Sequence, residues 1–439
     1  MSCENKDKYG EVFTPESLVS MMIDDAKKLM GNHFFKKRQK IFETGAGKGI
    51  FYDTLNHCGD LSFYHSYVMN EINPSYKDVL EHIIPQQRKG KDKVYIQDLF
   101  SFNDLNSLHD LGSFDLIWGN LPFQSGGKAF VPSLAKNNGG NSNVTKPKGR
   151  VTIWPKMIHH LFTHFLKEGG YFFCIIPCIW LKQDRANIYH LFVKQHHICF
   201  LKVFNCYEAN KLFGYNCQTP MCYVMVQKKG ICSDSHVNKF KLYDKDIEDY
   251  IDFTLLLDYC IPSAHASMFQ KQVSLIQTKD TYVSCYDKIK KISLLKQEIV
   301  EKAEIFFTQK SALDTGYLED FTFVLNEPCL YKVITGASIN KKKDKLVLHG
   351  FVSKIHGLYY GIPKLILPHK RLLRFFKDVN GTYSCYGRDM YVFLCPGGIE
   401  QMNTLEKKLA SNLTMIEEGF RIRMNFIEKY VFQYVEYEI

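Results

Sequence analysis

A chain of 439 residues has room for two or three domains with substantial cores. Hydrophobic residues at 45% and charged residues at 23% are ordinary for a soluble globular protein, and no apolar run is long enough to span a membrane. The formal charge of +10 is concentrated: from Tyr331 to Lys377 eleven Lys or Arg stand against one acid, Asp344. That stretch, interleaved with Tyr359, Tyr360, Phe375 and Phe376, has the makings of a polyanion-binding surface, with a solvated charged face as the plainer reading. The start, Met1-Ser2-Cys3-Glu4-Asn5-Lys6-Asp7, lacks the apolar core of a signal peptide, so an intracellular protein is expected. Fourteen cysteines scattered through apolar contexts, without a Cys-x-x-Cys pair, read as reduced core thiols.

In chain order, Thr14 as N-cap and Pro15 at the first helical position predict a helix over 14–30, with Leu18, Met21, Met22, Ala26 and Leu29 on its apolar stripe. From Lys40 to about Lys229 strand-like and helical stretches alternate. Strands are expected at Lys40 to Glu43, Tyr64 to Asn70, Val94 to Gln97, Leu116 to Gly119, Tyr171 to Ile176, Ile198 to Val203 and Met221 to Gln227. Seven strands with intervening helices predict a doubly wound α/β sheet. The crossover between Gln124 and Thr152, rich in Gly, Asn and Lys, reads as a mobile loop beside a site. Residues 1–230 form the first expected domain. A mostly helical connecting segment follows over 231–302, on the periodicity of Ile289, Ile292, Leu295 and Ile299. Residues 303–439 complete the chain with short β-runs and two amphipathic helices, the first striped by Met402, Leu405, Leu409, Leu413 and Ile416.

Two stretches carry chemistry. The turn Gly45-Ala46-Gly47-Lys48-Gly49 fits neither phosphate fingerprint: Ile50 stands where a dinucleotide loop needs its third Gly, and Phe42 where a P-loop needs its first. Glu43, at the end of the preceding strand, would repel a pyrophosphate but suits a ligand bearing a cation. S-adenosylmethionine carries an ammonium and a sulfonium, and Glu71 and Asp98 stand at the tips of the next two strands. The second stretch is Asp115-Leu116-Ile117-Trp118-Gly119-Asn120-Leu121-Pro122-Phe123. A buried strand there leads into an amide, a backbone carbonyl, a ring-locked turn and an aromatic face, a set able to hold a planar amine.

The order Gly10-Glu11-Val12-Phe13-Thr14-Pro15, Glu43-x-Gly45-x-Gly47-x-Gly49, Glu71, Asp98, Asn120-Leu121-Pro122-Phe123 resembles the γ-class adenine-N6 DNA methyltransferases, especially the methylase portion of type IIG restriction-modification enzymes, over residues 9–227. The resemblance implies a seven-stranded, Rossmann-like S-adenosylmethionine-dependent methyltransferase sheet with a smaller α+β target-recognition domain. It implies a cofactor pocket lined by Phe13, Thr14, Pro15, Glu43, Gly45, Gly47, Glu71, Asp98 and Leu99. Asn120, Leu121, Pro122 and Phe123 would hold a flipped adenine, with Phe213 a second stacking ring. Leu121 departs from the family's Asn-Pro-Pro-aromatic pattern: it keeps the carbonyl and loses a locked φ. The rRNA adenine dimethylases look similar at this point, which keeps an RNA substrate open beside double-stranded DNA.

Lys341, Lys342, Lys343, Lys364, Lys370, Arg371 and Arg374 are the expected DNA contacts. A catalytically silent DNA-binding module on the same fold and a methyltransferase acting on a protein glutamine amide also fit these motifs. His159-His160 and His196-His197 lack ligand spacing, so no metal is expected. A monomer without membrane attachment is expected, with any restriction endonuclease on a separate chain.

Overall fold

Strands buried on both faces read as near-continuous apolar runs, and runs of that kind assemble the larger part of this protein. The computed structural model describes residues 12–35, 39–58, 64–102, 113–123, 152–214, 219–229, 237–256, 259–271, 305–306, 331–334, 350–352, 361–368, 375–385 and 390–419. The chain divides into two compact units, Met1–Ser267 and Met268–Ile439.

The first unit contains helix α1 (Glu16–Met30), then β1 (Lys40–Thr44), α2 (Ile50–His57), β2 (Ser66–Glu71), α3 (Lys77–His82), β3 (Lys93–Ile96), β4 (Phe114–Asn120), α4 (Trp154–His160), β5 (Leu166–Pro177), β6 (His197–Phe204), α5 (Cys206–Phe213), β7 (Met221–Gln227), β8 (Val237–Asp244) and β9 (Asp249–Leu256). Its sheet runs in the order β3-β2-β1-β4-β5-β7-β6-β8-β9. β3, β2, β1, β4 and β5 are mutually parallel; β7 lies antiparallel between β5 and β6, and β8 and β9 extend the sheet beyond β6. The chain lays β2 and β3 to one side of β1, then crosses back to place β4 on the other. That reversal is a topological switch point, where adjoining loops part and leave a crevice at the carboxyl ends of the strands.

All seven expected strands are present, six with ends shifted by no more than two residues and β5 starting five residues early at Leu166, but the sheet has nine strands. The extra pair, β8 and β9, falls where a mostly helical connecting segment is expected. Val237–Asp244 alternates apolar and polar residues as a half-exposed strand does, and it pairs along its whole length with β9. The first unit therefore runs past the expected boundary at residue 230. The helical periodicity at 289–299 and the crossover at 124–151 lie outside the described residues.

α1 starts at Glu16, with Pro15 as its N-cap and no side-chain cap, so Thr14 does not cap it as expected. Its buried stripe, Leu18, Val19, Met22, Ile23 and Ala26, joins one core cluster with Ile41, Phe51, Tyr67, Trp118 and Phe173. Farther along α1, Asp25 Oδ2 accepts hydrogen bonds from the hydroxyl of Tyr223, from Tyr250 Oη at 2.6 Å and from Lys202 Nζ at 3.5 Å. Lys28 pairs with Asp249 at 2.6 Å. Burial, reinforced by the Asp25 charge, pushes both tyrosine hydroxyls up, so they remain neutral donors.

The second unit contains a four-stranded sheet, β10-β12-β11-β15, from β10 (Ile305–Phe306), β11 (Tyr331–Ile334), β12 (Gly350–Val352) and β15 (Tyr383–Cys385). A second, antiparallel sheet orders β14 (Phe376–Asp378), β13 (Lys364–Pro368) and β16 (Met390–Leu394). Helix α6 (Gly398–Gly419) buries Met402, Leu405 and Leu409 of the expected stripe. The second expected terminal helix lies outside the described residues. Among those described, no helix is long and apolar enough to cross a membrane.

Candidate active site at the sheet switch point

The register pairs Thr44, the last residue of β1, with Gly119, so the glycine turn after β1 and the Asn120-Leu121-Pro122-Phe123 stretch after β4 emerge side by side. Gly119 is required there: at φ 144° a Cβ would stand 2.4 Å from the Thr44 carbonyl oxygen. Gly45, at φ 65°, turns the chain over the neighbouring loop, and a Cβ on it would lie 3.4 Å from the Asn120 carbonyl oxygen. The two stretches singled out from sequence are thus brought side by side.

Phe13 and Thr14 close that site from the α1 side. Phe13 packs edge-on to Tyr76 at 6.2 Å, and Lys48 Nζ lies 4.8 Å from the centre of its ring. Thr14 Oγ1 accepts a hydrogen bond from Asn120 Nδ2 at 3.1 Å. The Leu121 side chain is buried, and its backbone N–H donates to the Ile175 carbonyl at 3.3 Å. A proline has no such N–H, so the departure from the family pattern exchanges a locked φ for a hydrogen bond to β5. Phe123 and Phe213 both pack, half-buried, against the core cluster. Phe213 ends α5, which a capping box of Asn205 and Glu208 starts.

The acidic residues behave differently from one another. Glu71 is buried and accepts from Gly47 N at 2.7 Å, Ile72 N at 2.9 Å and Asn73 N at 2.8 Å, so it binds the glycine turn to the tip of β2. Asp98 is exposed and caps the turn that contains the buried Leu99, through Phe100 N at 3.1 Å. Glu43 corrects the picture of a charged strand-end acid: it is fully buried, with Oε2 accepting from Tyr67 Oη at 2.6 Å. The same hydroxyl accepts from Trp118 Nε1 at 2.7 Å. Burial pushes the Glu43 carboxyl up to about 8 against the pull of the Tyr67 hydroxyl, with the Glu71 charge adding to the rise. Its Oε1 has no hydrogen-bond partner among the described residues.

These features suit S-adenosylmethionine. The backbone of a glycine turn at a switch point can approach a nucleoside closely, and Ile72, 48% exposed after Glu71, offers an apolar surface that the sequence argument missed; Glu43, fully buried with its carboxyl pushed toward the neutral form, is not exposed to a ligand. An exposed apolar residue directly after a strand-end acid was its signal. Lys48 and Tyr76 were also missed, because their contact with Phe13 is made only in three dimensions.

The expected DNA contacts fare less well. Lys364 is fully buried in β13 and pairs with Asp378 at 2.6 Å, one residue beyond the basic stretch that ends at Lys377. It is therefore not a phosphate contact. Lys377 pairs with Glu406 at 2.5 Å. Lys341, Lys342, Lys343, Lys370, Arg371 and Arg374 lie outside the described residues. Among those described, no group of three or more His, Cys, Asp or Glu is placed to hold a metal ion.

No family model matches the chain, and no curated protein matches it. Among solved structures, it is similar to the type IIG restriction endonuclease BpuSI, with 12% identity and a TM-score of 0.43, over 97% of this chain and 59% of that one. It is similar to the type I restriction-modification methyltransferase subunit from Streptococcus thermophilus, with 15% identity and a TM-score of 0.38, over 56% of this chain and 51% of that one. The M protein of the type I restriction enzyme EcoKI gives 14% identity and a TM-score of 0.35, over 53% and 48%. The chain thus spans about half the length of the two type I proteins. Each score lies below 0.5, a likeness too partial to carry function.

Proposed function

We propose that this protein is an S-adenosylmethionine-dependent methyltransferase acting on the exocyclic amine of an adenine flipped out of DNA, in a restriction-modification setting. The observation that carries the proposal is the junction at the switch point, where Gly45 approaches the Asn120 carbonyl oxygen and cofactor-type and amine-binding stretches share one rim. Phe13, the glycine turn, Glu71, Ile72, Asp98 and Leu99 would hold the cofactor, with Glu43, expected from sequence as a contact, buried in β1 instead. When bound, S-adenosylmethionine supplies a methyl group made electrophilic by its sulfonium.

The protein's own residues supply position and hydrogen-bond acceptors. Adenine N6 is a poor nucleophile because its lone pair is delocalised into the ring. Asn120 Oδ1 and the Leu121 carbonyl can each accept one N–H of that amine, which draws it toward a pyramidal shape and exposes the lone pair. Phe123, with Phe213, offers stacking in exchange for what the base loses on leaving the helix. With its proton lost only after transfer, the amine requires no strong base. The second unit would read the target sequence.

The test is tritiated methyl incorporation from labelled cofactor into mixed-sequence DNA, with structured RNA as competitor. Asn120→Ala should lower incorporation at least about a hundredfold while cofactor affinity, measured by calorimetry, holds. Wild-type incorporation by the Ala variant would remove the assignment. Preferential labelling of the RNA would instead favour the reading that Leu121, within Asn-Leu-Pro, keeps open.

A further inference from the structure

A side-chain amide has two ends of opposite hydrogen-bonding sense and almost the same shape. If Asn120 is to accept a hydrogen bond from an amine, its oxygen has to face the substrate; a half-turn about the last side-chain bond would present an NH2 group to another NH2 group. Oδ1 has no partner among the described residues, whereas Nδ2 donates to Thr14 Oγ1 at 3.1 Å. The Thr14 hydroxyl is also the one that a sequence argument assigns to capping α1. Pro15 takes the N-cap position instead, with no side-chain cap, and Thr14 is left buried beside Asn120. Behind it, α1 is tied to β7 and β9 through Asp25.

We propose that Thr14 is a positioning residue that holds the Asn120 amide by its nitrogen, keeping Oδ1 turned toward the group to be methylated. This rests on the methyl-transfer reading and replaces the expectation that Thr14 acts as a cofactor contact. The Thr14 hydroxyl can donate as well as accept, so the orientation is selected by the need for an acceptor on the substrate side, and the hydroxyl held by α1 anchors the Nδ2 end that remains; the helix contributes to catalysis without touching the reacting atoms.

Thr14→Val preserves shape and removes the hydroxyl; Thr14→Ser retains the hydroxyl. In the full chain three quantities are measured: hydrogen exchange of the Asn120 side-chain amide by NMR with 15N-asparagine, its resonance identified by its loss in Asn120→Ala; affinity for S-adenosylhomocysteine by calorimetry; and the single-turnover rate of tritium transfer to mixed-sequence DNA. In Thr14→Val, amide exchange should quicken at least about tenfold and transfer should slow by about tenfold to a hundredfold, while nucleoside affinity stays within about twofold. Thr14→Ser should restore both. Unchanged amide exchange in the Val variant would overturn the proposal. So would weakened nucleoside binding at a normal transfer rate, which marks a cofactor contact, or a Ser variant as damaged as Val. Should Thr14→Val melt early, Thr14→Ala takes its place under the same criteria. If the wild-type chain transfers no methyl group, the functional reading fails while amide exchange still judges the anchor.

Discussion

The half of the large sheet from β3 to β4 and the half from β7 to β9 belong to one sheet, yet the acid packed at each is treated in the opposite way. On the β7–β9 side, Asp25 gathers two tyrosine hydroxyls and a lysine, and Lys202 also lies 3.8 Å from the centre of the Tyr243 ring. Its charge is compensated within the protein, and the cluster pins α1 in place. On the β1 side, the Tyr67 hydroxyl and, more weakly, the Tyr52 backbone N–H draw the Glu43 carboxyl down, and burial still drives it toward its neutral form. A buried polar group left part-satisfied costs stability, and such groups cluster near functional sites. The comparison separates structural from site chemistry: Glu43 is fully buried and Asp25 half-buried, and they differ in how far the protein supplies their partners.

The sharpest way to break the site half is Gly119→Ala. A methyl group placed 2.4 Å from the Thr44 carbonyl oxygen would prise β4 from β1, and a loss of about 4 kcal/mol or more is expected, read as lost cooperative unfolding in circular dichroism. Lys364→Met tests the second unit, where a buried cation is paired as Asp25 is. Leaving Asp378 uncompensated should cost about 3 kcal/mol, with the salt dependence of DNA binding unmoved; a shallower salt slope would return Lys364 to the phosphate contacts. Asp25→Ala should cost about 2 kcal/mol in urea unfolding, by orphaning the Tyr223 and Tyr250 hydroxyls.

Leu121→Pro would recreate the family's commoner pattern yet delete the N–H that meets Ile175. Methyl transfer should drop by up to about tenfold, and an increase would show that the locked φ matters more. At Glu43 the prediction is the direction of a pH dependence. Its carboxyl stands at about 8 in the folded chain against an ordinary 4.5, so the unfolded chain releases the proton first as pH rises. Stability linked to the protonated form is complete below about 4.5 and is lost progressively up to about 8. Glu43→Gln, without cofactor, should therefore gain on wild type in urea midpoint between pH 5 and pH 8. A constant difference across that range would mean the acid is ionised in the fold.

Much of the first unit was legible because its signals are local. Seven apolar runs, the Gly45 to Gly49 turn and the Asn120 to Phe123 stretch each carry their pattern within a few residues, and alternation of strands and helices implies a parallel sheet. β8 and β9 were missed because a half-exposed strand and a mixed helix look alike over eight residues. Lys364 was misjudged because charge counted along a chain does not reveal that the next acid, Asp378, will stand opposite it across two strands.

The amino-acid sequence by itself determined which chemical groups are available and that they follow strands in a set order: an acid, a glycine turn, two further acids, an amide and an aromatic. Only the tertiary structure decided their states. It desolvated Glu43 until its neutral form prevailed, gave Glu71 three backbone amides to hold, and turned Thr14 from a helix cap to a partner of Asn120. The physical reason is that local pattern sets backbone conformation, whereas protonation and hydrogen-bond partners depend on what long-range packing removes from water and what it brings within about 3 Å.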